Sequence, residues 1–153
     1  MIILNNQDIN KIRNEIIKIK KEKPNEVIAV YSQDDEFNRK ALEIKKLDIL
    51  ILNEELNKKD YLKQRNSGLN EILAKIAKKN NISLAIDIQN LMKKSKKEKA
   101  IAFSRLIQNI TICKRTKTNL IFLEDERKEF NSLLLSLGAS TQQVKNSVNK
   151  VFK

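Results

Sequence analysis

Short runs of apolar, mostly β-branched residues recur along this chain at positions 2–4, 27–30, 49–52, 82–88 and 120–123. Each is the length of a strand, and its largely apolar character is that of a buried strand. Between these runs the apolar residues fall three and four apart, as at Ile9, Ile12, Ile16 and Ile19, and again at Leu69, Ile72, Leu73, Ile76 and Ala77. That period builds helices with one buried face. Strands that alternate with helices pair in parallel through right-handed crossovers, so the predicted class is α/β. With 2 glycines and 1 proline in 153 residues, boundaries have to be read from period and caps. No shift in composition marks a linker, and one domain over residues 1–153 is expected, built from about five βα units. That is too few to close an eight-stranded barrel, for which about 200 residues or more are usual. An open sheet or an incomplete barrel is therefore predicted. After Gly138, a helix stop, Ser140 or Thr141 can cap a last helix through Val144, Val148 and Val151.

Lys and Arg number 31 against 19 Asp and Glu, a formal charge of +12 and a pI near 9.8, so a polyanion is the natural partner. Hydrophobic residues at 41% still supply a core. No stretch approaches the roughly 18 to 20 apolar residues of a spanning helix, and membrane attachment is not expected. The opening Met1-Ile2-Ile3-Leu4-Asn5 lacks the basic start and long apolar run of a signal peptide, and Cys113 is the single cysteine. Both point to a cytoplasmic protein without disulfides. The chain has no histidine. Ser-His-Asp and Cys-His catalysis are excluded, and a metal centre would need carboxylates, amides and water, which suit magnesium or calcium rather than zinc.

Several local patterns allow two readings each. Gln64-Arg65-Asn66-Ser67-Gly68-Leu69 leads into a helix ending near Asn80, where Asn66 or Ser67 can cap the first turn. A phosphate beside Lys63 and Arg65 would be welcome at such a helix start, although an ordinary capped helix explains the same residues. Lys93-Lys94-Ser95-Lys96-Lys97-Glu98-Lys99 is the densest positive run, able to neutralise RNA phosphates or simply to be solvated. Lys114-Arg115-Thr116-Lys117 follows a helix with Ile107, Ile110 and Ile112 as core residues, and its cations complement the helix end. The acidic clusters Asp34-Asp35-Glu36 and Glu124-Asp125-Glu126 follow predicted strands, where α/β folds place metal ligands, yet acidic residues also serve helix first turns. Tyr31, Tyr61 and the phenylalanines are dispersed instead of forming a stacking platform.

Two stretches resemble a known family. Asn38-Arg39-Lys40-Ala41-Leu42-Glu43 resembles the Asn-Arg-x-Ala-x-Glu segment of ribonuclease P protein component 3, which in that family follows a strand like residues 27–31. Leu47-Asp48-Ile49-Leu50 resembles its Val-Asp-(Val/Ile)-Leu strand. The run Arg65-Asn66-Ser67-Gly68-Leu69-Asn70-Glu71-Ile72-Leu73-Ala74-Lys75-Ile76-Ala77 is similar to its (Arg/Lys)-Asp-Ser-Gly-(Leu/Ile)-x-His-Val-(Leu/Met)-Ala-(Arg/Lys)-Leu-Ala signature. Order and spacing agree from near Val27 to Leu123, apart from extra residues before Arg65. The family's Asp is Asn66 here, its His is Glu71, and a Glu often found in the next strand is Ala85. The late loop carrying a Ser and an Arg-Ser-Pro-like stretch has no clear match, and the amino end is shorter than is typical by one or two βα units.

The resemblance implies parallel βα units forming an incomplete or reduced TIM-like barrel, similar to that of histidine-rich metal phosphoesterases but without their metal site. It implies a non-catalytic RNA-binding subunit of ribonuclease P, paired with protein component 2 as a heterotetramer and bound to the ribonuclease P RNA. The protein would hold no cofactor; magnesium on the RNA would serve the hydrolysis that removes the 5′ leader of precursor tRNA. RNA contact is expected at Arg39, Lys63, Arg65, Ser67, Gly68 and Lys75, with Arg39 and Lys75 also able to form internal ion pairs. Two rival readings are a magnesium-dependent phosphoesterase, if Asp34, Asp35, Glu124 and Asp125 converge on one pocket, and a scaffold subunit that makes no direct RNA contact.

Overall fold

A computed structural model describes residues 1–52, 59–60, 62, 65–123 and 128–149. The five predicted strands are present as β1 (Ile2–Leu4), β2 (Ile28–Tyr31), β3 (Ile49–Leu52), β4 (Ser83–Asp87) and β5 (Leu120–Leu123). They pair in parallel in the order of the chain, β1-β2-β3-β4-β5. A doubly wound sheet would reverse direction at a switch point. Strict succession is instead the winding of a barrel, here left unclosed, with β1 and β5 as its two edges.

The helices are α1 (Ile9–Glu22), α2 (Asp35–Leu42), α3 (Glu71–Lys79), α4 (Ile88–Lys93), α5 (Lys96–Thr116), α6 (Lys128–Ser136) and α7 (Thr141–Asn149). The main core joins strand residues Ile28, Val30, Leu50, Leu84, Ile86 and Leu120 to Ile12, Ala41, Leu73, Ala74, Leu106, Ile110 and Val144 from the helices. The opposite face of the sheet carries a separate cluster of Ala29, Ile49, Ile51, Ala85 and Ile121, drawn from strands alone. Register explains it, since Ile51, Ala85 and Ile121 stand side by side on β3, β4 and β5. Burial on both faces accounts for the apolar runs of β2 to β5, whereas β1 departs from that expectation, its Ile3 being 42% exposed at the edge of the sheet. Toward β5 the helical layer ends in α7, which lies close against that edge strand.

Caps set the helix boundaries. Asp8, Asp34 and Asn70 accept first-turn backbone N–H groups, and Ser95 with Glu98 forms a reciprocal capping box at α5. Ser140 and Gln143 exchange the same pair of bonds at α7, which bears out one of the two caps expected there. Gly138, at φ +94°, turns the chain out of α6 while the N–H groups of Gly138 and Ala139 bond back to Leu135 and Leu134. That is the backbone a Schellman stop requires. Two helix expectations need correction. In α3 the buried stripe is Leu73, Ala74 and Ala77, while Ile72 is 68% exposed and Leu69 precedes the helix. In α5 one isoleucine is misplaced. Ile110 and Ile112 are buried, but Ile107 is 43% exposed and belongs to the outer face. Asp48, in the stretch that resembles the family's second strand motif, ties three elements together: its Oδ2 accepts from Lys20 Nζ of α1 at 2.7 Å and from the Ile28 N–H of β2 at 2.8 Å.

Candidate nucleic-acid interface

The chain between β3 and α3 carries Arg65, Ser67 and Gly68, and hydrogen bonds from two helices fix it. On the α5 side, Gln108 accepts the Arg65 backbone N–H at its Oε1 and donates from Nε2 to the Arg65 carbonyl, each at 3.0 Å. The same Nε2 also donates to Ser67 Oγ at 3.0 Å. On the α2 side, the fully buried Asn38 accepts the Gln33 N–H at 2.8 Å and donates to the carbonyl of Gly68 at 3.4 Å. Gly68 takes φ +71°, a left-handed conformation that disfavours any residue with a Cβ.

Asp60 organises the outer part of the loop. Its Oδ1 accepts the Asn66 N–H at 2.8 Å and Arg105 Nη2 at 3.3 Å, and its Oδ2 accepts Arg65 Nη1 at 2.9 Å. The Asn66 N–H, and after it the Arg65 guanidinium, hold the Asp60 carboxyl below its ordinary range. Arg105 is only 2% exposed, so this carboxylate contributes to balancing a buried cation.

Each predicted contact residue can now be placed. Arg65 is half-exposed and presents its side chain at the surface. Ser67 and Gly68 are buried. Ser67 is not a helix cap, and neither is Asn66: α3 starts at Glu71, with Asn70 Oδ1 accepting the Leu73 N–H at 2.9 Å, while Ser67 Oγ donates to the Leu69 carbonyl. The phosphate-welcoming helix start expected at the Ser-Gly pair is therefore absent, and Glu71 already supplies a negative charge to the first turn. Lys75 is exposed on α3 with no ion pair among the described residues. Arg39, exposed on α2, pairs with Glu43 at 3.5 Å, the internal pairing foreseen as its alternative. Lys63 lies outside the described residues.

The neighbouring charged patterns also resolve. Arg115 pairs with Glu71, so one cation at the end of α5 reaches across to α3. Lys96 and Lys97 are exposed in the first turn of α5, at the helix end whose dipole disfavours cations. Asp34 caps α2 by accepting the Phe37 N–H at 2.7 Å, and Glu36 pairs with Lys40. Glu124 and Asp125 lie outside the described residues. Among the described residues no three or more metal-ligating side chains gather into a cluster, and no helix is long and apolar enough to cross a membrane.

Asp60, Asn70, Arg105 and Gln108 escaped the sequence reading. Arg105 and Gln108 are one turn apart on α5, which places them on one face. Nothing in that spacing reveals partners more than 40 residues away.

No protein-family model matches the chain. The ribonuclease P protein component 3 of Methanococcus vannielii is 31% identical over 122 residues, covering 78% of this chain and 47% of that protein. The ribonuclease P protein component 3 of Methanococcoides burtonii is 34% identical over 84 residues, covering 55% of this chain and 28% of that protein. The chain thus spans about half or less of the length of these curated relatives. A chain in the cryo-EM structure of archaeal ribonuclease P with mature tRNA superposes with a TM-score of 0.76, over 95% of this chain and 62% of that one, at 19% identity. The likeness is one of fold, with this chain contributing five parallel strands in chain order that alternate with helices, an unclosed sheet consistent with a reduced TIM-like barrel.

Proposed function

We propose, from the premise that this chain belongs to the ribonuclease P protein component 3 family, that it is a non-catalytic, RNA-binding subunit of ribonuclease P. Its partners are the ribonuclease P RNA and precursor tRNA, together with protein component 2 in a heterotetramer. Magnesium serves hydrolysis on the RNA, and the protein contributes positive charge and shape. The observation that carries this reading is the coincidence of two things at one place. The loop that opens the signature-like run is also the place where a half-exposed arginine is held by a hydrogen-bond network. A formal charge of +12 suits a protein that lets a self-repelling RNA compact.

Arg39, Lys63, Arg65 and Lys75 supply the phosphate contacts in this reading. Ser67 and Gly68 act beneath them, one bonded to Gln108 and the other to Asn38. The test replaces Lys63 and Arg65 together by Gln and follows RNA affinity against salt. Each lost phosphate contact lowers the logarithmic salt slope by roughly 0.9 on duplex and 0.7 on single strands, so the expected drop is between one and two units. Cleavage of precursor tRNA by the reconstituted particle should also slow at low magnesium. The same double change at Lys96 and Lys97 is the comparison. Equal losses from both pairs would mean diffuse attraction to a basic protein, and the assignment of this loop would be withdrawn.

A further inference from the structure

We infer that Gln108 is a positioning residue for Arg65, and that with Asp60 it leaves one edge of the Arg65 guanidinium ready for a bidentate contact with a phosphodiester. The inference rests on the proposed RNA contact at this loop and deepens it.

One side chain holds both main-chain polar groups of one residue. Gln108 accepts the Arg65 N–H and donates to the Arg65 carbonyl, both at 3.0 Å, as a neighbouring β-strand would. That fixes the origin of a long, flexible side chain on the surface of a 21-residue helix. The far end is fixed as well. Arg65 Nη1 donates to Asp60 Oδ2 at 2.9 Å, and Asp60 is held from behind by the Asn66 N–H and the buried Arg105.

What remains is the side-on edge of the guanidinium. Arg65 Nε and Nη2 carry no hydrogen bond among the described residues, and the side chain is 56% exposed. Two parallel N–H groups at that edge match two oxygens of a phosphate, a geometry that lysine cannot reproduce. Charge balance at Asp60 does not by itself explain the arrangement, because Arg105 and the Asn66 N–H already meet its Oδ1, and the pairing of its Oδ2 with a half-exposed Arg65 is worth little. Clamping the backbone of Arg65 has a different benefit. Ordering that would otherwise oppose binding is completed when the protein folds.

The test measures binding of the full chain to an archaeal ribonuclease P RNA transcript as a function of salt. Arg65→Ala should weaken binding and lower the salt slope by about 0.7 to 0.9. Gln108→Ala removes no charge, and it should weaken binding about threefold to tenfold at fixed salt through lost pre-organisation. Added to Arg65→Ala, it should cost nothing more. Arg65→Lys should restore the slope but not the affinity. Gln108→Met, of similar length and helix propensity, repeats the measurement should Gln108→Ala disturb the fold. If Arg65→Ala weakens binding while both Gln108 variants bind as the parent does, or if the losses multiply in the double variant, the positioning role is overturned and the RNA contact survives. If Arg65→Ala itself changes nothing, the inference falls together with the contact beneath it.

Discussion

Asn38 Nδ2 donates to the carbonyl of Gly68, joining the two family-like segments at a distance of 3.4 Å across 30 positions of sequence. The same amide closes the start of α2 by accepting the Gln33 N–H at 2.8 Å. Because Asn38 is fully buried, water cannot replace these partners. Asn38→Ala should destabilise the fold by about 1–3 kcal/mol, the cost of leaving buried polar groups unsatisfied, as read by denaturant unfolding. An unchanged midpoint would show that the amide links nothing of consequence.

The cap of α3 separates two residues that look equivalent in sequence. Asn70→Ala should cost about 0.5–2 kcal/mol and speed hydrogen exchange at the Leu73 N–H, which Asn70 Oδ1 covers. Ser67→Ala should leave that amide protected, because its hydroxyl bonds Gln108 and the Leu69 carbonyl instead. Faster exchange at Leu73 in the Ser67 variant would restore the serine as the cap.

Asp60 predicts a response to acid. Its folded pKa lies below the ordinary 3.8, chiefly through the Asn66 N–H and then the Arg65 side chain. A depressed carboxylate stabilises the fold fully above its unfolded pKa, and that stability is lost as pH falls through the folded value. The stability difference between parent and Asp60→Asn should therefore be constant from neutral pH down to about 5 and shrink below about 4. Unfolding curves recorded across that range check the sign. A difference that grows in acid would contradict the hydrogen-bond arrangement.

Cys113 predicts a response to base. Burial pushes its thiol up to about 12, so the native protein should resist alkylation at pH 8 and react only on opening. The neutral thiol contributes its stability below the unfolded pKa of about 8.5, and this is lost progressively as pH rises toward the folded value. Cys113→Ala should flatten that alkaline decline. Rapid labelling of the folded chain would show that the C-terminal half of α5 is open to solvent.

What could be read from the chain alone is what depends on neighbours in sequence. Short apolar runs of strand length yield β1 through β5, and the three-four spacing yields α1 and α3, because run length and residue spacing are properties of neighbours along the chain. Parallel order follows from alternation, and the basic character follows from counting charge. The family-like residues were legible as a motif, and Arg65 emerged as a surface residue.

Tertiary structure decided the rest. Asn66, Ser67 and Asn70 are all competent caps, and the choice fell to Asn70 because Gly68 turns left-handed and Leu69 is buried before the helix can begin. Ile107 shares its spacing with core residues, yet it lies on the outer face of α5 because the docking angle of the helix chooses its buried stripe. The meeting of Asp60, Arg65, Arg105 and Gln108 depends on where a loop settles against a helix some 40 residues later. Hydrogen bonds between residues so far apart in sequence are made by packing, and no local pattern encodes which polar groups packing will bring within hydrogen-bond reach of each other.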